Sequence, residues 1–464
     1  MAGYMKDLGN GKFQFEVSKG HTGRGKRNKA YRTITAKGKT PEAREKYAEK
    51  QLALFVAEVE NGQHQKPVKF NFEELFERWI NSHQGDKKLA PKTESRYRKM
   101  FNSRIKEYFN SFNVEKITAL DIDAFFTELR SMPRLDGKPG NLDERTIKHH
   151  YRLISAIFAY AHRKQILRTN PMEFTERVDV KKKQVVYFEE DQISMLIDAL
   201  DELPEEEFKY KVIIHLAIAG GYRLGEVVGL TNKNINFENK SVKITKSAQY
   251  VTDVNKKKVE ETFPELLSEI PDLCNIINTE NNIQEETLKY LKELLDRNII
   301  IKLPKNESSV REIFMPSFVM DLLSTHQHIQ KIRKVKLANK WKDTNWIFTD
   351  DFGDIMHPQT PSKWFHKFIV KHNNKILNDE TIPQNEKKKY LLNEVPFHGL
   401  RHTSASYLIS CGQDVASISE RLGHANKNTT LTIYAHAFKK RDEEAARHMN
   451  KLYSKKETKD NKAK

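Results

Sequence analysis

The strongest constraint on this chain is the segment 396–438, where four polar residues recur at spacings that helices can bring together. His398 and Arg401 are three residues apart, so they share one face of a predicted helix. His424 follows a Leu-Gly pair, and Tyr434 lies within an amphipathic run. Each feature is common by itself, and a tyrosine at helical spacing is usually a core residue. Their order and spacing together indicate a reaction centre that needs further residues upstream.

Net charge nominates the class of partner. The 464 residues include 80 Lys plus Arg against 63 Asp plus Glu, which gives +17. A field of this sign attracts polyanions, of which nucleic acid is the commonest large one in a cell. The start of the chain resembles no targeting segment, so we expect a soluble protein of the bacterial cytoplasm, associated with the nucleoid. Cys274 and Cys411 are too few and too isolated for a disulfide framework or a structural zinc site, and no metal or cofactor site is predicted.

The N-terminal part, residues 1–62, is predicted to be a small DNA-binding domain. Residues 12–36 alternate as two strands around a Gly-rich tip, and a helix with Thr40 as its cap runs to about Gly62. The span 19–39 contains basic residues and no acidic one. A small sheet with cationic strands fits a DNA groove. The candidate contacts are Arg24, Lys26, Arg27, Lys29 and Arg32.

Residues 69–171 are predicted to form a bundle of four short helices. Apolar residues recur at helical spacing, and the helix beginning near Pro91 has a basic face with Lys92 and Arg96 as candidate DNA contacts. The pair Asn170-Pro171 is predicted to stop the fourth helix. Such a bundle with one basic side is compatible with DNA binding.

Residues 188–450 are predicted to form a third, mainly helical domain with a small antiparallel sheet. One helix is predicted over 210–230, and strands over 235–247, 299–316 and 346–353. The acidic, mostly helical segment 251–298 interrupts this strand region and is predicted to be a solvent-exposed insertion into a hairpin. The basic tail 451–464 is predicted to be disordered. The fold class is therefore multidomain α+β.

The polar residues suit nucleophilic attack by a tyrosine on a DNA phosphodiester. A phenol has a pKa of about 10, so it needs neighbouring positive charge and a proton acceptor. Guanidinium groups supply the charge and bind the phosphate in a two-pronged manner. Arg401 is one candidate, and Arg223, which follows two glycines, is another. Arg223 also fits a plain role as the first residue of a helix, paired with Glu226.

These motifs in this order resemble the signature of the tyrosine recombinases, the lambda-integrase family. The motifs are Arg223-Leu-Gly-Glu226, Lys305 between two strands, His398-Gly-Leu-Arg401-His402, Leu-Gly-His424 and Tyr434. The N-terminal domain is similar to the three-stranded arm-binding domains of phage and conjugative-transposon integrases. Residues 69–171 are similar to their core-binding helical domain.

The resemblance implies a mechanism that uses no metal and no ATP. Tyr434 would attack the scissile phosphate to give a 3′-phosphotyrosyl link. Arg223 and Arg401 would bind the non-bridging oxygens, with Glu226 in support of Arg223. Lys305 would protonate the leaving 5′-oxygen.

The two histidines complete the implied set. His398 would exchange the tyrosine proton, and His424 would hydrogen-bond a phosphoryl oxygen. His402 is adjacent to Arg401 but is assigned a structural role. The insertion at 251–298 is longer than in shorter members of the family, so Lys302 competes with Lys305 for the role of general acid.

The resemblance also implies partners. These are double-stranded DNA attachment sites bound by a homotetramer, together with an excisionase and a host DNA-bending protein. The predicted function is integration and excision of a mobile element. Two alternatives stay open: a resolvase or type IB topoisomerase with the same chemistry, and a DNA-binding architectural protein with an inactive catalytic domain.

Overall fold

The computed structural model describes residues 3–21, 27–61, 71–83, 89–180, 185–269, 273, 276, 283–304, 309–424, 446 and 449–450. They belong to two compact units. The first contains Met1–Lys88 and Tyr97–Val180, and the second contains Leu89–Arg96 and Lys181–Lys464. The finer division at residues 62 and 69 stays a prediction.

The N-terminal part of the first unit is a three-stranded antiparallel sheet covered by a helix. The elements are β1 (Gly3–Asp7), β2 (Lys12–His21), β3 (Arg27–Thr35) and α1 (Pro41–Glu60), with sheet order β1-β2-β3. Alternate strand residues point to one face, where Phe13, Phe15 and Val17 pack with Phe55 of the helix. Thr40 accepts a hydrogen bond from the backbone N–H of Ala43 and caps α1, as the sequence predicts.

Helices form the rest of the first unit. They are α2 (Phe72–Asn81), the part of α3 (Pro91–Met100) from Tyr97 onward, α4 (Lys106–Phe109), α5 (Ala119–Ser131) and α6 (Glu144–Arg163). A π-helical turn, Phe101–Ile105, joins α3 to α4, and the boundary between the units falls within α3. The predicted apolar stripes are buried: Phe72 of α2 contacts the rings of Phe109 and Phe158.

The prediction that Asn170-Pro171 stops the fourth helix is wrong, because α6 ends at Arg163. Gln165 has a left-handed backbone with φ of 56°. Its N–H bonds to the carbonyl of His162, and the N–H of Ile166 bonds to that of Ala161. This pair of bonds is a Schellman motif, which closes a helix without Gly or Pro at the stop. Pro171 instead begins a short 3₁₀ turn, Pro171–Glu173.

The second unit is mainly helical and is built around one apolar helix. Its helices before the sheets are α7 (Glu190–Asp201), α8 (Phe208–Gly220) and α9 (Leu224–Val228). Those after the sheets are α13 (Ser317–Leu337), α14 (Thr360–Asn378), α15 (Lys387–Tyr390), α16 (Phe397–Ser410) and α17 (Val415–Leu422). Val212 to Ala217 of α8 are buried in the core shared by α13, α14 and α16. A helix whose apolar residues lie on nearly all of its sides belongs at the centre of a domain.

The single helix predicted over 210–230 is wrong, since it is two helices, α8 and α9. Gly221 has φ of 61°, a left-handed conformation that ends α8. Leu422 of α17 packs so closely that a Cβ at residue 221 would lie 2.5 Å from its Cδ2. Arg223 then starts α9 as its cap residue. The break separates the buried helix from the first candidate catalytic residue.

The strands within the described part of the second unit form two small antiparallel sheets. The strands are β4 (Ile235–Asn236), β5 (Ser241–Ile244), β6 (Ser247–Tyr250), β7 (Ile299–Lys302) and β8 (Arg311–Phe314). Their orders are β4-β5-β8 and β6-β7. The strand predicted over 346–353 is absent from the described residues, because this segment makes only the isolated bridges of Trp346 with Thr231 and of Thr349 with Ile355.

The segment 251–298 lies between two paired strands, as predicted, since Tyr250 is the partner of Ile299. Its helices are α10 (Lys256–Glu260), α11 (Phe263–Glu269) and α12 (Ile283–Asp296). The expectation of a solvent-exposed decoration is wrong. Leu291, Leu294 and Leu295 of α12 are buried in one cluster with Trp346 and Ile355, outside the insertion. The insertion therefore extends the core of the second unit.

A buried polar network anchors this insertion. Tyr290 donates its hydroxyl to Asp354 and accepts a hydrogen bond from Trp346 Nε1 at 3.0 Å. Arg297 and Lys342 add ion pairs to Asp354 at 2.6 and 3.3 Å. Because each buried polar atom of the group has a partner, the network fixes one docking position for α12.

Candidate active site

Four of the six predicted catalytic residues fall within the described part of the chain. Arg223 starts α9, His398 and Arg401 lie in the first turns of α16, and His424 directly follows the end of α17. Lys305 and Tyr434 lie outside the described residues. The four described residues belong to the second unit. The break after α8 and the turn after α17 therefore set the positions of Arg223 and His424.

Arg401 joins three elements from a buried position. It is 2% exposed, and its Nη1 donates to the carbonyl of Gly221 at 2.7 Å. Its Nη2 donates to the carbonyl of Leu422. A guanidinium has five donors in a rigid plane, so these bonds set the direction in which the group faces. Arg401 thus fixes the end of α17 to the end of α8.

Arg223 is paired with an acid and also faces a second carbonyl. Its Nη1 lies 2.7 Å from Glu226 Oε1, and its backbone N–H donates to Oε2 at 3.0 Å. Its Nη2 donates to the carbonyl of Gly423 at 3.3 Å. The side chain is 38% exposed, in contrast to the buried Arg401. The ion pair expected of a helix-start residue is present, and the guanidinium still reaches solvent.

Three arginines bind three consecutive carbonyls where α17 ends. Arg311 Nε donates to the carbonyl of Arg421 at 2.8 Å, while Arg401 and Arg223 take those of Leu422 and Gly423. The last carbonyls of a helix have no partner within it and carry its negative pole, so cations stabilise this end. The neighbouring residue His424 is placed by this arrangement.

The backbone of the turn contributes to the same placement. Gly423 has φ of 65°, its N–H bonds to Glu420, and the N–H of His424 bonds to the carbonyl of Ser419 at 3.0 Å. This is again a Schellman motif. Only a residue that tolerates a left-handed backbone can precede His424 without strain. The Leu-Gly-His motif thus has a structural reason for its glycine.

Both candidate histidines are held neutral near pH 7. Burial lowers the pKa of His424 to about 4, and the positive charges of Arg401 and Arg223 act in the same direction. The protein packed around His398 also lowers its pKa, again with help from Arg401 and Arg223, although part of the side chain stays open to solvent. A neutral imidazole can accept one proton and donate another. His402, assigned a structural role, places its ring edge-on to His398 with centroids 5.0 Å apart.

A groove of about 1090 Å³ opens beside these residues. Arg223 and His424 line it together with Lys302 at the end of β7. Lys92 and Arg96, two predicted DNA contacts in the segment Leu89–Arg96 of the same unit, line it as well. A concave surface with several cations at the predicted reaction centre suits a polyanion.

The choice between Lys305 and Lys302 stays open. Lys302 is the last residue of β7 and pairs with Ser247 of β6. Strands β7 and β8 flank Lys305 but pair with β6 and β5 rather than with each other.

The predicted DNA contacts of the N-terminal sheet divide between its two faces. Lys29 is on the face away from α1 and forms an ion pair with Glu16, and Arg27 starts β3 with an exposed side chain. Arg32 is on the opposite face, where it pairs with Glu58 at 2.8 Å and lies over the ring of Phe55. Arg24 and Lys26 lie outside the described residues. The face covered by α1 is thus unsuited to a DNA contact by Arg32.

Sequence reasoning missed Arg311, which pairs with Glu226 at 2.8 Å with both side chains 6% exposed. The sequence does contain a sign of this role. Arg311 and Ile313 are two residues apart in a short strand, so the charged residue lies on the same face as a core residue. A charge in that position needs a buried partner.

The described residues include neither a metal-binding cluster nor a membrane-spanning helix. No group of three or more His, Cys, Asp or Glu side chains among them is arranged to hold a metal ion. None of the helices in these ranges is both long and apolar enough to cross a membrane.

Comparison with known proteins identifies the family of this chain. The Phage integrase family matches residues 187–441, more than half of the chain, and a phage integrase N-terminal SAM-like domain matches residues 71–130. The ICEBs1 integrase of Bacillus subtilis (strain 168) is 22% identical over 97% of this chain and 99% of its own length. A tyrosine recombinase XerC-like protein of Caldanaerobacter subterraneus subsp. tengcongensis is 24% identical over 67% of this chain and 66% of its own length.

Solved structures show the same fold. An integrase of the Tn1549 transposon, in complex with transposon right end DNA, superposes with a TM-score of 0.56 at 20% identity. That alignment covers 82% of this chain and 99% of the integrase chain. The chain belongs to the phage integrase family and is a tyrosine-type site-specific recombinase.

Proposed function

We propose that this protein cuts and rejoins DNA at specific sites through a 3′-phosphotyrosyl intermediate on Tyr434, and that it thereby integrates and excises a mobile element. The observation that carries the proposal is the end of α17. There two candidate phosphate-binding arginines and a neutral His424 converge beside a cationic groove, upstream of Tyr434.

Each candidate residue has one role in the proposed reaction. The Tyr434 oxygen forms a bond to phosphorus as the bond from phosphorus to the 5′-oxygen breaks. The phenol proton passes to His398, which is neutral and so able to accept it. Lys305, or Lys302 in its place, gives a proton to the leaving 5′-oxygen. Rejoining reverses these steps with the 5′-hydroxyl of another strand, so no external energy source is consumed.

The arginines stabilise the negative charge that develops at the phosphate. Phosphoryl transfer places negative charge on the non-bridging oxygens, and preorganised donors lower the barrier because they need not reorient. Arg401 is buried and held by two carbonyls, while Arg223 reaches the groove from the start of α9. His424 adds a hydrogen-bond donor that carries no charge, so it needs no neighbouring carboxylate to neutralise it.

The DNA partners are attachment sites bound in two ways. The groove of the second unit would bind the core site, with Lys92 and Arg96 on phosphates. The outer face of the N-terminal sheet, with Arg27 and Lys29, would bind arm sites. Arg32 is left out because it lies on the inner face. A homotetramer would pair two sites, helped by an excisionase and a host DNA-bending protein.

A DNA duplex nicked near the scissile phosphate tests the proposal, because cleavage then releases a short strand and prevents rejoining. The wild-type chain should accumulate a covalent adduct that survives denaturing electrophoresis, while Tyr434→Phe should bind the duplex equally and form none. Recombinant products from two intact sites separate a recombinase from an enzyme that only relaxes DNA. An adduct with Tyr434→Phe would contradict the assignment of the nucleophile.

A further inference from the structure

Arg311, at the start of β8, is a buried arginine that the proposed reaction does not use. Its Nη2 donates to Glu226 Oε2 at 2.8 Å, and its Nη1 to Oε1 at 3.3 Å and to the carbonyl of Ser309 at 3.1 Å. Its Nε donates to the carbonyl of Arg421 at 2.8 Å. The guanidinium also lies over the ring of the buried Tyr222, 5.7 Å from its centroid. So many acceptors in one plane hold the group in a single orientation.

Glu226 is shared between this buried guanidinium and one that faces the groove. Arg223 Nη1 lies 2.7 Å from Oε1, the oxygen that Arg311 Nη1 also contacts. The side chains of Arg311 and Glu226 are each 6% exposed, whereas that of Arg223 is 38% exposed. The buried charge of Glu226 is thus neutralised by the buried charge of Arg311, and the charge of Arg223 is available to an anion in the groove. Without Arg311, the carboxylate would bind Arg223 as its remaining described side-chain partner.

The second role of Arg311 concerns the end of α17. Its bond to the carbonyl of Arg421 is one of the three that bind the consecutive carbonyls before His424. The same guanidinium therefore contacts both the partner of Arg223 and the turn that carries His424. An alkyl or ammonium side chain cannot reach both with matched donors.

We propose that Arg311 is a positioning residue of the recombination reaction, an inference that rests on the proposed function. It neutralises Glu226 and holds the end of α17, so that Arg223 and His424 meet the scissile phosphate in a fixed geometry. It touches no DNA itself. Its loss slows the formation of the covalent adduct and leaves DNA affinity unchanged.

The test measures adduct formation on the nicked duplex in single turnover, at saturating protein, together with the dissociation constant from fluorescence anisotropy. Arg311→Met should lower the saturating rate about tenfold to a hundredfold, the scale expected when a catalytic group is misplaced by about 1 Å. The dissociation constant should stay within about twofold. Arg297→Met is the matched control, because it removes a buried-carboxylate ion pair in the same unit, to Asp354, and Arg297 does not line the groove.

A second variant distinguishes charge balance from simple loss of packing. In Arg311→Met combined with Glu226→Gln, the unbalanced carboxylate is gone and Arg223 is released to the groove. This double variant should react at least about fivefold faster than Arg311→Met, a coupling that only neighbouring groups show. A purely structural role would make the double variant as slow as the single variant or slower.

Each outcome is decisive. If Arg311→Met does not fold, Arg311→Lys replaces it, since it keeps the charge but cannot reach both acceptors, and the same loss of rate is expected. A rate within about threefold of the wild type for the folded variant, or the absence of rescue in the double variant, would overturn the positioning role. A wild-type chain that forms no adduct would overturn the proposed function itself, and the inference with it.

Discussion

Gly221→Ala should destabilise the second unit in two separable ways. The backbone at residue 221 is left-handed with φ of 61°, which costs a residue with a Cβ about 1–2 kcal/mol. The new Cβ would also lie 2.5 Å from Leu422 Cδ2, and overpacking of this kind costs about 1–3 kcal/mol. We therefore expect the free energy of unfolding to fall by about 2–5 kcal/mol.

A second substitution separates the two contributions. Leu422→Ala is itself costly, about 2–5 kcal/mol, because the side chain is fully buried. It removes the atom that the new Cβ would strike. In that background Gly221→Ala should cost only the backbone strain, so the double-mutant cycle should give an interaction energy of about 1–3 kcal/mol.

The assay is urea unfolding followed by tryptophan fluorescence. The chain has four tryptophans. Trp79 is the one in the first unit, so a Trp79→Phe background restricts the signal to the second unit. If the two substitutions prove additive, the contact between the end of α8 and the end of α17 does not constrain the site as described. The same variants should slow adduct formation, because a shift of the backbone at residue 221 would displace the carbonyl that Arg401 binds.

Three further predictions follow from the charges. Burial lowers the pKa of His326 from 6.5 to about 4, so below pH 6.5 the unfolded chain binds a proton that the folded chain does not. This residue should lower the free energy of unfolding by up to about 3 kcal/mol between pH 6.5 and 4, beside a similar contribution from His424. His326→Gln should reduce the slope by the share of one residue, whereas an unchanged slope would exclude His326 as a cause. Lys29→Ala should weaken arm-site binding and reduce the salt dependence of that binding by about one ion, as measured by anisotropy titrations. Arg32→Met should leave both the affinity and the salt dependence unchanged. Weaker binding by Arg32→Met and unchanged binding by Lys29→Ala would mean that the face covered by α1 binds DNA. A 5′-phosphorothiolate substrate, whose sulfur leaves without a proton, should restore cleavage by Lys305→Ala, and rescue of Lys302→Ala instead would move the role of general acid.

The local parts of the fold were predictable because their signals are local. Thr40 with Pro41 marks the start of α1, and strict alternation marks β2 and β3. The predicted helices of the first unit also follow from apolar residues at helical spacing. The failed prediction of a single helix over 210–230 has a different origin, because a distant contact contributes to its break. The break at Gly221 is shaped by Leu422, two hundred positions away in the chain, and no local pattern contains that contact.

The candidate site shows the same division. Spacing could nominate Arg223, Arg401 and His424, yet it could not show that α17 ends on three arginines, because those bonds join α9, α16 and β8. The alternation of side chains along β3 predicts two faces but does not show which face α1 covers. Arg32 was therefore grouped with Lys29 as a DNA contact. The insertion was recognised from its composition, whereas its shared core with Trp346 depends on packing.

The most direct test of the account is the chemical identity of the covalent adduct. After trapping on the nicked duplex, digestion with nuclease and trypsin should leave a nucleotide on the peptide 428–439, which contains Tyr434 as its one tyrosine. Tandem mass spectrometry should place the nucleotide on that side chain through a 3′-phosphate. Attachment to any other residue, or through a 5′-phosphate, would contradict the proposed reaction.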